Sequence, residues 1–173
     1  MRALLALALV ACQTAPPAAE VAAEAAEAVE AEVRAAIDEL YAAFGFDAGA
    51  EPDWATQRAR YLEGAVFIAP AREGAPAVAE DTETFLAGFA TYVREGPYRE
   101  TGLHERLLAV RVELFGGIAH AWVAFEGHAP GEDEARTRGL DSLQLVRDAG
   151  VWRLASFTTQ YEGEGLELPA RLR

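Results

Sequence analysis

The segment 138–162, RGLDSLQLVRDAGVWRLASFTTQYE, constrains the fold of this chain most. It contains two strand-like runs, 138–147 and 151–161, joined by Asp148-Ala149-Gly150. A short loop with glycine at its end favours a tight hairpin, because glycine readily adopts the positive φ that such turns need. The segment therefore predicts a β-hairpin at the centre of a sheet.

The hairpin register decides which side chains share a face. If Arg147 lies opposite Val151, alternation places one set of side chains together: Leu140, Ser142, Gln144, Val146, Trp152, Leu154, Ser156 and Thr158. This face is apolar near the turn and polar farther away, which predicts the floor of a ligand pocket. A slip of one residue would reverse the assignment.

The N-terminus predicts export. Arg2 precedes an apolar run that ends at residue 11, and Cys12, the sole cysteine, follows it. Such a run is typical of a signal peptide and is too short to span a bilayer as a helix. Residues 9–12, LVAC, resemble the lipobox of bacterial lipoproteins, which implies a signal peptide at 1–11, an acylated Cys12 and a tether at 12–19. A plain secretory signal, giving a secreted or periplasmic soluble protein, is the alternative.

Composition narrows the choice of partners. The net charge of −13 argues against nucleic acid, whose phosphates require a basic surface. The same charge argues against binding an anionic membrane surface, so the membrane is contacted through the lipid anchor only. With one cysteine, the chain cannot form an intramolecular disulfide and must rely on core packing.

The hydrophobic period changes along the chain. Spacings of three and four predict a long helix, a short helix capped by Asp53 and a third helix capped by Asp81 or Thr82. Alternation then predicts long strands before the hairpin. The predicted segments are helix 20–44, strand 64–70, strands 100–115 and 118–128, and a tail at 163–173. This order predicts an α+β domain over 20–162, with three N-terminal helices packed on one face of a curved antiparallel sheet that forms a cone.

Three short motifs carry a family resemblance. The run Leu143–Leu154, LQLVRDAGVWRL, is similar to the last hairpin of the nuclear transport factor 2 (NTF2) superfamily, of the SnoaL-like and ketosteroid-isomerase-like kind. FGGIAH at 115–120 and RGLDS at 138–142 resemble motifs of a bacterial subgroup. The resemblance implies the cone-shaped NTF2-like fold. It leaves the function open, because the superfamily includes isomerases, cyclases, dehydratases, ligand binders and interaction domains.

Two differences from the family pattern bear on chemistry. Asp141 stands where the subgroup has asparagine. SnoaL-like members commonly carry a histidine pair on the last strand, and here those positions are Ser156 and Thr158. The obvious acid/base residues of that strand are therefore missing, which argues against polyketide-cyclase chemistry.

Two residues are candidates for a general base. His120 shares a strand face with Trp122 and Glu126, and a neutral imidazole beside a carboxylate could work as a general base near physiological pH. Asp141 interrupts an apolar strand, and a desolvated aspartate in this fold could abstract a proton next to a carbonyl group. The alternative for His120 is a purely structural role. The alternatives for Asp141 are a solvent-facing side chain or an ion pair with Arg111 or Arg153.

The remaining polar residues suggest binding. Five side chains are predicted to contact a ligand: Trp122, Ser142, Gln144, Ser156 and Thr158. Glu105 and Arg138 are expected to form an ion pair across strands. The three histidines lack the spacing of metal ligands, and the chain has no glycine-rich phosphate loop, so we expect neither a metal nor a cofactor.

Three functions stay open. The first is a tethered ligand-binding or accessory lipoprotein of the outer membrane, facing the periplasm, whose pocket takes a small hydrophobic molecule. The second is a cofactor-independent isomerase or dehydratase of a small hydrophobic carbonyl compound. The third is an interaction module that forms a homodimer through the apolar face of Ala119, Ala121, Val123 and Phe125.

The lipobox predicts the result of one substitution. Cys12→Ser removes the acylation site, so the protein should move from the membrane fraction to the soluble fraction of its host. Fractionation and immunoblotting measure this. Unchanged retention in the membrane would refute the lipoprotein interpretation.

Overall fold

Helices occupy the first half of the chain and long strands the second, as the sequence predicts. The computed structural model of the protein describes residues 18–69 and 76–172. The predicted signal peptide 1–11 and Cys12 lie outside these residues. Among the described helices, none is both long enough and apolar enough to cross a bilayer.

Ten helices and strands and one 3₁₀ turn follow one another in the described residues. They are α1 (Ala18–Phe44), β1 (Phe46–Asp47), α2 (Trp54–Ala59), β2 (Tyr61–Ala69), β3 (Val78–Asp81), α3 (Thr82–Glu95), β4 (Gly102–Phe115), β5 (Ile118–His128), β6 (Thr137–Asp148), β7 (Val151–Tyr161) and the 3₁₀ turn Ala170–Leu172. The bounds of β5 agree with the sequence prediction. Tyr61 and Leu62 begin β2, so this strand starts three residues before the predicted strand 64–70.

The strands form one seven-stranded sheet in the order β1-β4-β5-β6-β7-β2-β3. Neighbouring strands run antiparallel, except that β2 runs parallel to β7. The helices pack on one face of this sheet, which we call the inner face. The predicted α+β architecture, with helices on one side of a curved sheet, is confirmed.

Helix α1 supplies one side of the core through a single apolar stripe. Val33, Ile37, Leu40, Tyr41 and Phe44 recur at helical spacing, and all five are buried. They pack against apolar side chains of the inner face in one continuous cluster. The helices α2 and α3 begin at aspartates whose carboxylates accept hydrogen bonds from backbone amides of the first turn, Asp53 and Asp81.

The register of the β6–β7 hairpin differs by one residue from the predicted one. Asp148, not Arg147, lies opposite Val151, so the loop is only Ala149-Gly150. Both loop residues have positive φ, 48° and 85°, as a tight two-residue turn requires. The sequence argument expected positive φ only at the glycine. The predicted register was wrong because Ala149 adopts this conformation as well.

A β-bulge in β7 then changes which of its residues share a face with the residues of β6. Leu145 pairs with Leu154 and Gln144 with Ser156, so Ala155 is the extra residue. Beyond the bulge, Phe157 and Thr159 share the inner face with Trp152 and Leu154. The four polar side chains predicted as a pocket floor do share a face, but it is the outer one: Ser142, Gln144, Ser156 and Thr158.

Two further expectations are corrected by burial. The predicted interaction face of Ala119, Ala121, Val123 and Phe125 is at most 2% exposed, because the helices cover it. The chain after Tyr161 is not a loose tail either. Its Leu168 and Leu172 are buried against Ala124 on the outer face of the sheet.

Trp152 gives a direct test of this packing. It is 6% exposed and belongs to the central cluster, so Trp152→Ala should lower the free energy of unfolding by about 3–5 kcal/mol. The neighbouring Val151 is 52% exposed, and Val151→Ala serves as the control with a small effect. Urea denaturation measures both. A loss below about 1 kcal/mol for Trp152→Ala would place this residue outside the core.

Candidate functional site

A cavity of about 700 Å³ lies between the inner face of the sheet and α3. This volume is in the range of small-molecule sites. Its wall is mainly aromatic, and six phenylalanines line it: Phe44, Phe67, Phe85, Phe89, Phe125 and Phe157. The rings of Phe67 and Phe85 stack with their centroids 4.0 Å apart, which gives one side of the cavity a flat apolar surface.

Asp141 is a buried polar residue in this apolar wall. It lies on the inner face of β6 between Gly139 and Leu143, and it is 1% exposed. The hydroxyl of Tyr41, on α1, donates a hydrogen bond to its Oδ2. Its Oδ1 makes no hydrogen bond of ordinary geometry among the described residues, although the Thr159 hydroxyl, directly opposite on β7, is near enough to lower the pKa of Asp141. One oxygen is thus held by Tyr41, and the other lies buried in the cavity wall without an equivalent donor.

Glu105 is a second acid of the same wall. It lies on the inner face of β4 and lines the cavity, and no arginine of the described residues pairs with it. Arg138, its expected partner, binds Glu126 on the other face instead. The prediction of a Glu105–Arg138 ion pair is therefore wrong, and Glu105 contributes an uncompensated carboxyl group to the cavity.

Burial changes the protonation of both acids. Loss of solvent raises the pKa of Asp141 to about 7, although the hydrogen bond from Tyr41 and the nearby hydroxyl of Thr159 act in the opposite direction. Loss of solvent, with a smaller contribution from the charge of Asp141, raises the pKa of Glu105 to about 8. Burial and the neighbouring Asp141 also raise the pKa of Tyr41, which keeps its hydroxyl a donor. Near neutral pH, both the protonated and the ionised forms of the pair are therefore accessible.

Glu126 shows what a fully compensated buried acid looks like in this protein. It is 2% exposed on the outer face, where Arg106 Nε donates to Oε1 over 2.8 Å and Arg138 Nε to Oε2 over 3.1 Å. His128 Nε2 lies 2.9 Å from Oε1. Burial alone would raise the pKa of Glu126, but these contacts outweigh it and lower the pKa. Asp141 has no such cationic partners.

The other sequence-predicted site residues lie together on the outer face, away from the cavity. His120 Nε2 is 3.1 Å from Ser142 Oγ, and the rings of His120 and Trp122 meet edge to face with centroids 5.1 Å apart. Gln144, Ser156 and Thr158 share that face. None of the six lines the cavity. Of the two candidate bases, the cavity wall therefore includes Asp141 and not His120.

Two residues of the site were missed by the sequence argument, and a third was given another role. Tyr41 lies in the predicted helix 20–44, but no sequence signal linked it to Asp141, 100 positions away. Thr159 was missed because the bulge was not foreseen. Glu105 was expected only to pair with Arg138, although its alternation with Leu103 and Leu107 on a predicted strand indicated a place on an apolar face. Within the described part of the chain, no cluster of histidine, cysteine and acidic residues could hold a metal.

Solved structures with the same fold were found. A NTF2-like protein of unknown function from Pseudomonas putida matches with a TM-score of 0.61 at 15% identity, over 78% of this chain and 87% of that one. A NTF2-like protein of unknown function from Silicibacter pomeroyi matches with a TM-score of 0.54 at 19% identity, over 80% of this chain and 98% of that one. No protein-family model and no curated protein matches the sequence. A Nostoc punctiforme protein of unknown function, whose fold is described as cystatin-like, matches with a TM-score of 0.61 at 9% identity, over 77% of this chain and 90% of that one. The chain therefore has the NTF2-like fold.

The raised pKa values predict how stability depends on pH. Between the ordinary values of 3.8 and 4.5 and the native values of about 7 and 8, the folded protein holds protons that the unfolded chain has released. The stability they contribute is complete below this window and is lost as pH rises through it. We expect the melting temperature to fall from about pH 5 to about pH 9, and Asp141→Asn with Glu105→Gln to reduce that fall.

The control for this prediction removes an acid elsewhere. Asp38 is exposed on α1, so Asp38→Asn changes the net charge by the same amount without touching the cavity. It should leave the pH dependence close to that of the parent protein. If Asp38→Asn and Asp141→Asn flatten the curve equally, the general negative charge is responsible, and the two cavity acids titrate normally.

Proposed function

We propose that this protein is an exported, membrane-tethered NTF2-like domain that binds a small, largely apolar molecule in its inner cavity. The observation that carries this proposal is the combination of an aromatic cavity of about 700 Å³ with the unpartnered Oδ1 of Asp141 in its wall. Burying a carboxyl group without a partner is costly, so a site that does so favours a ligand that provides the missing hydrogen bond.

The tether rests on the sequence. The apolar run at 3–11 and the position of Cys12 support acylation and retention at the outer membrane, facing the periplasm. A domain anchored in this way samples small molecules that pass through the envelope. A binding or accessory role fits this position, and the secreted or periplasmic soluble form remains the alternative.

A cavity-filling variant tests the binding proposal. Gly88 lies on α3 and lines the cavity, and a Cβ added there meets no atom within 4 Å. Gly88→Trp should therefore occupy the cavity without a backbone clash. We expect the full chain to bind Nile red, a neutral apolar dye, with enhanced fluorescence, and Gly88→Trp to weaken this binding by roughly tenfold or more.

The adjacent position offers a matched control. Ala87 is exposed on α3 and does not line the cavity, so Ala87→Trp adds the same indole without filling the site. It should bind the dye like the parent protein. Equal dye binding by the parent protein and Gly88→Trp, or equal weakening by both tryptophan variants, would contradict a ligand site in this cavity.

A second candidate function is proton transfer within the cavity. It is favoured by the two acids whose pKa values burial raises to about 7 and about 8. In an isomerisation, the Asp141 carboxylate would remove a proton next to a carbonyl group and return it to another carbon, while protonated Glu105 donates a hydrogen bond to the carbonyl oxygen. Tyr41 would hold Asp141 in orientation. No cofactor is needed for this reaction, because no net oxidation or reduction occurs.

A simple ketone tests this candidate. The conversion of cyclohex-3-en-1-one to its conjugated isomer is followed by ultraviolet absorption. We expect the full chain to accelerate it, and Asp141→Asn to lower the rate by roughly 100-fold or more, the size expected for loss of a general base. Asp38→Asn should have no effect. A rate that is unchanged by Asp141→Asn would remove Asp141 as the base.

A further inference from the structure

The wall of the cavity contains acids and aromatic rings and lacks a compensating cation. Glu80, Glu162 and Glu164 line it together with Glu105 and Asp141, and the described lining residues include no arginine, lysine or histidine. We propose that the ligand of this cavity is an organic ammonium ion, in which a protonated amine is joined to an apolar or aromatic body. This inference rests on the proposed binding function and specifies its ligand class.

The free oxygen of Asp141 provides the first argument. Tyr41 already donates to Oδ2, and no described residue donates to Oδ1. The side chain lines the cavity and is 1% exposed, so a further donor can reach this oxygen only from inside the cavity. An N–H group of an ammonium ion would supply the missing donor, and such a charge-assisted hydrogen bond is roughly twice as strong as a neutral one. A ligand group that only accepts hydrogen bonds, such as a carbonyl oxygen, would leave Oδ1 without a donor.

The second acid argues for a charge and against a neutral donor. A neutral alcohol could satisfy Oδ1 but would not stabilise the ionised form of Glu105, whose pKa burial raises to about 8. A cation near both acids stabilises both carboxylates at once and offsets the burial that otherwise favours their protonated forms. Anionic ligands are disfavoured, since the described wall contains five acidic side chains and offers an anion no basic one.

The aromatic rings suit the same ligand. A cation within about 6 Å of an aromatic ring face is attracted by the electrons of the ring, and this attraction grows where water is excluded. Phe44, Phe125 and Phe157 lie on the same side of the sheet as the two acids and pack around Tyr41 and Phe67. The rest of the wall is apolar and can bury the apolar part of an organic ammonium ion. An inorganic cation has no such part and would leave this surface uncovered.

Three probes of equal size and different charge test this inference. They are 4-phenylbutylammonium, 4-phenylbutan-1-ol and 4-phenylbutyrate, and their binding to the full chain is measured by calorimetry at about pH 8. The protein used is the full chain with Cys12→Ser, because an acyl chain attached to Cys12 could itself bind the apolar probes. We expect the ammonium to bind roughly tenfold or more tightly than the alcohol, which is the effect of about one charge-assisted hydrogen bond, and the carboxylate to bind most weakly.

The variants separate the site from the general charge of the protein. Asp141→Asn should weaken ammonium binding by roughly tenfold and leave alcohol binding within about twofold. Glu105→Gln should reduce the ammonium preference as well, and it serves as the second variant if Asp141→Asn does not fold. Asp38→Asn should retain the full preference, because diffuse attraction by the net charge of −13 would weaken equally with any lost acid.

The outcomes distinguish this inference from the proposed function. If the alcohol binds as tightly as the ammonium, or the preference survives both cavity variants, the ammonium assignment is overturned while the cavity remains a binding site. If none of the three probes and no Nile red binds, the binding function itself fails, and the inference fails with it.

Discussion

The burial of Asp141 on the inner face of the sheet is the interaction on which the candidate site depends. A carboxyl group in apolar surroundings is costly unless it is hydrogen-bonded, protonated or paired with a cation. The protein supplies one hydrogen bond, from Tyr41, and leaves the second oxygen without a partner. Glu126 on the outer face shows that the same sheet can compensate a buried acid fully with arginines. The lack of such compensation at Asp141 is the observation on which the proposed ligand site in the inner cavity rests.

The fold determines that position through two small backbone features. The two-residue turn at Ala149-Gly150 sets the register of the β6–β7 hairpin, and the bulge at Ala155 brings Phe157 and Thr159 to the inner face. A shift of one residue in β6 would move Asp141 to the outer face and replace it with Ser142. The aromatic wall from α1, α3 and β2 then excludes water around the acid, and this exclusion raises its pKa to about 7.

Much of the fold could be predicted from periodicity, and the site could be predicted only in part. The long strands and the apolar stripe of α1 follow from spacings of two and of three to four, which the chain keeps over many residues. The register could not be predicted, because Ala149 adopts a positive φ that residue type alone does not indicate. Asp141 was recognisable as a charged residue interrupting an apolar strand. Its partner Tyr41 was not, because helical spacing shows that a residue is buried but not which distant strand it meets.

The protonation of the two cavity acids tests this account most directly. Carbon-13 NMR of the side-chain carboxyl groups in the full chain, assigned with Asp141→Asn and Glu105→Gln, follows each titration. The account predicts one carboxyl group titrating at about 7 and one at about 8, each lost in its own variant. If both groups titrate below about 5, like ordinary exposed acids, the inner cavity does not bury uncompensated carboxyl groups and the proposed site is wrong.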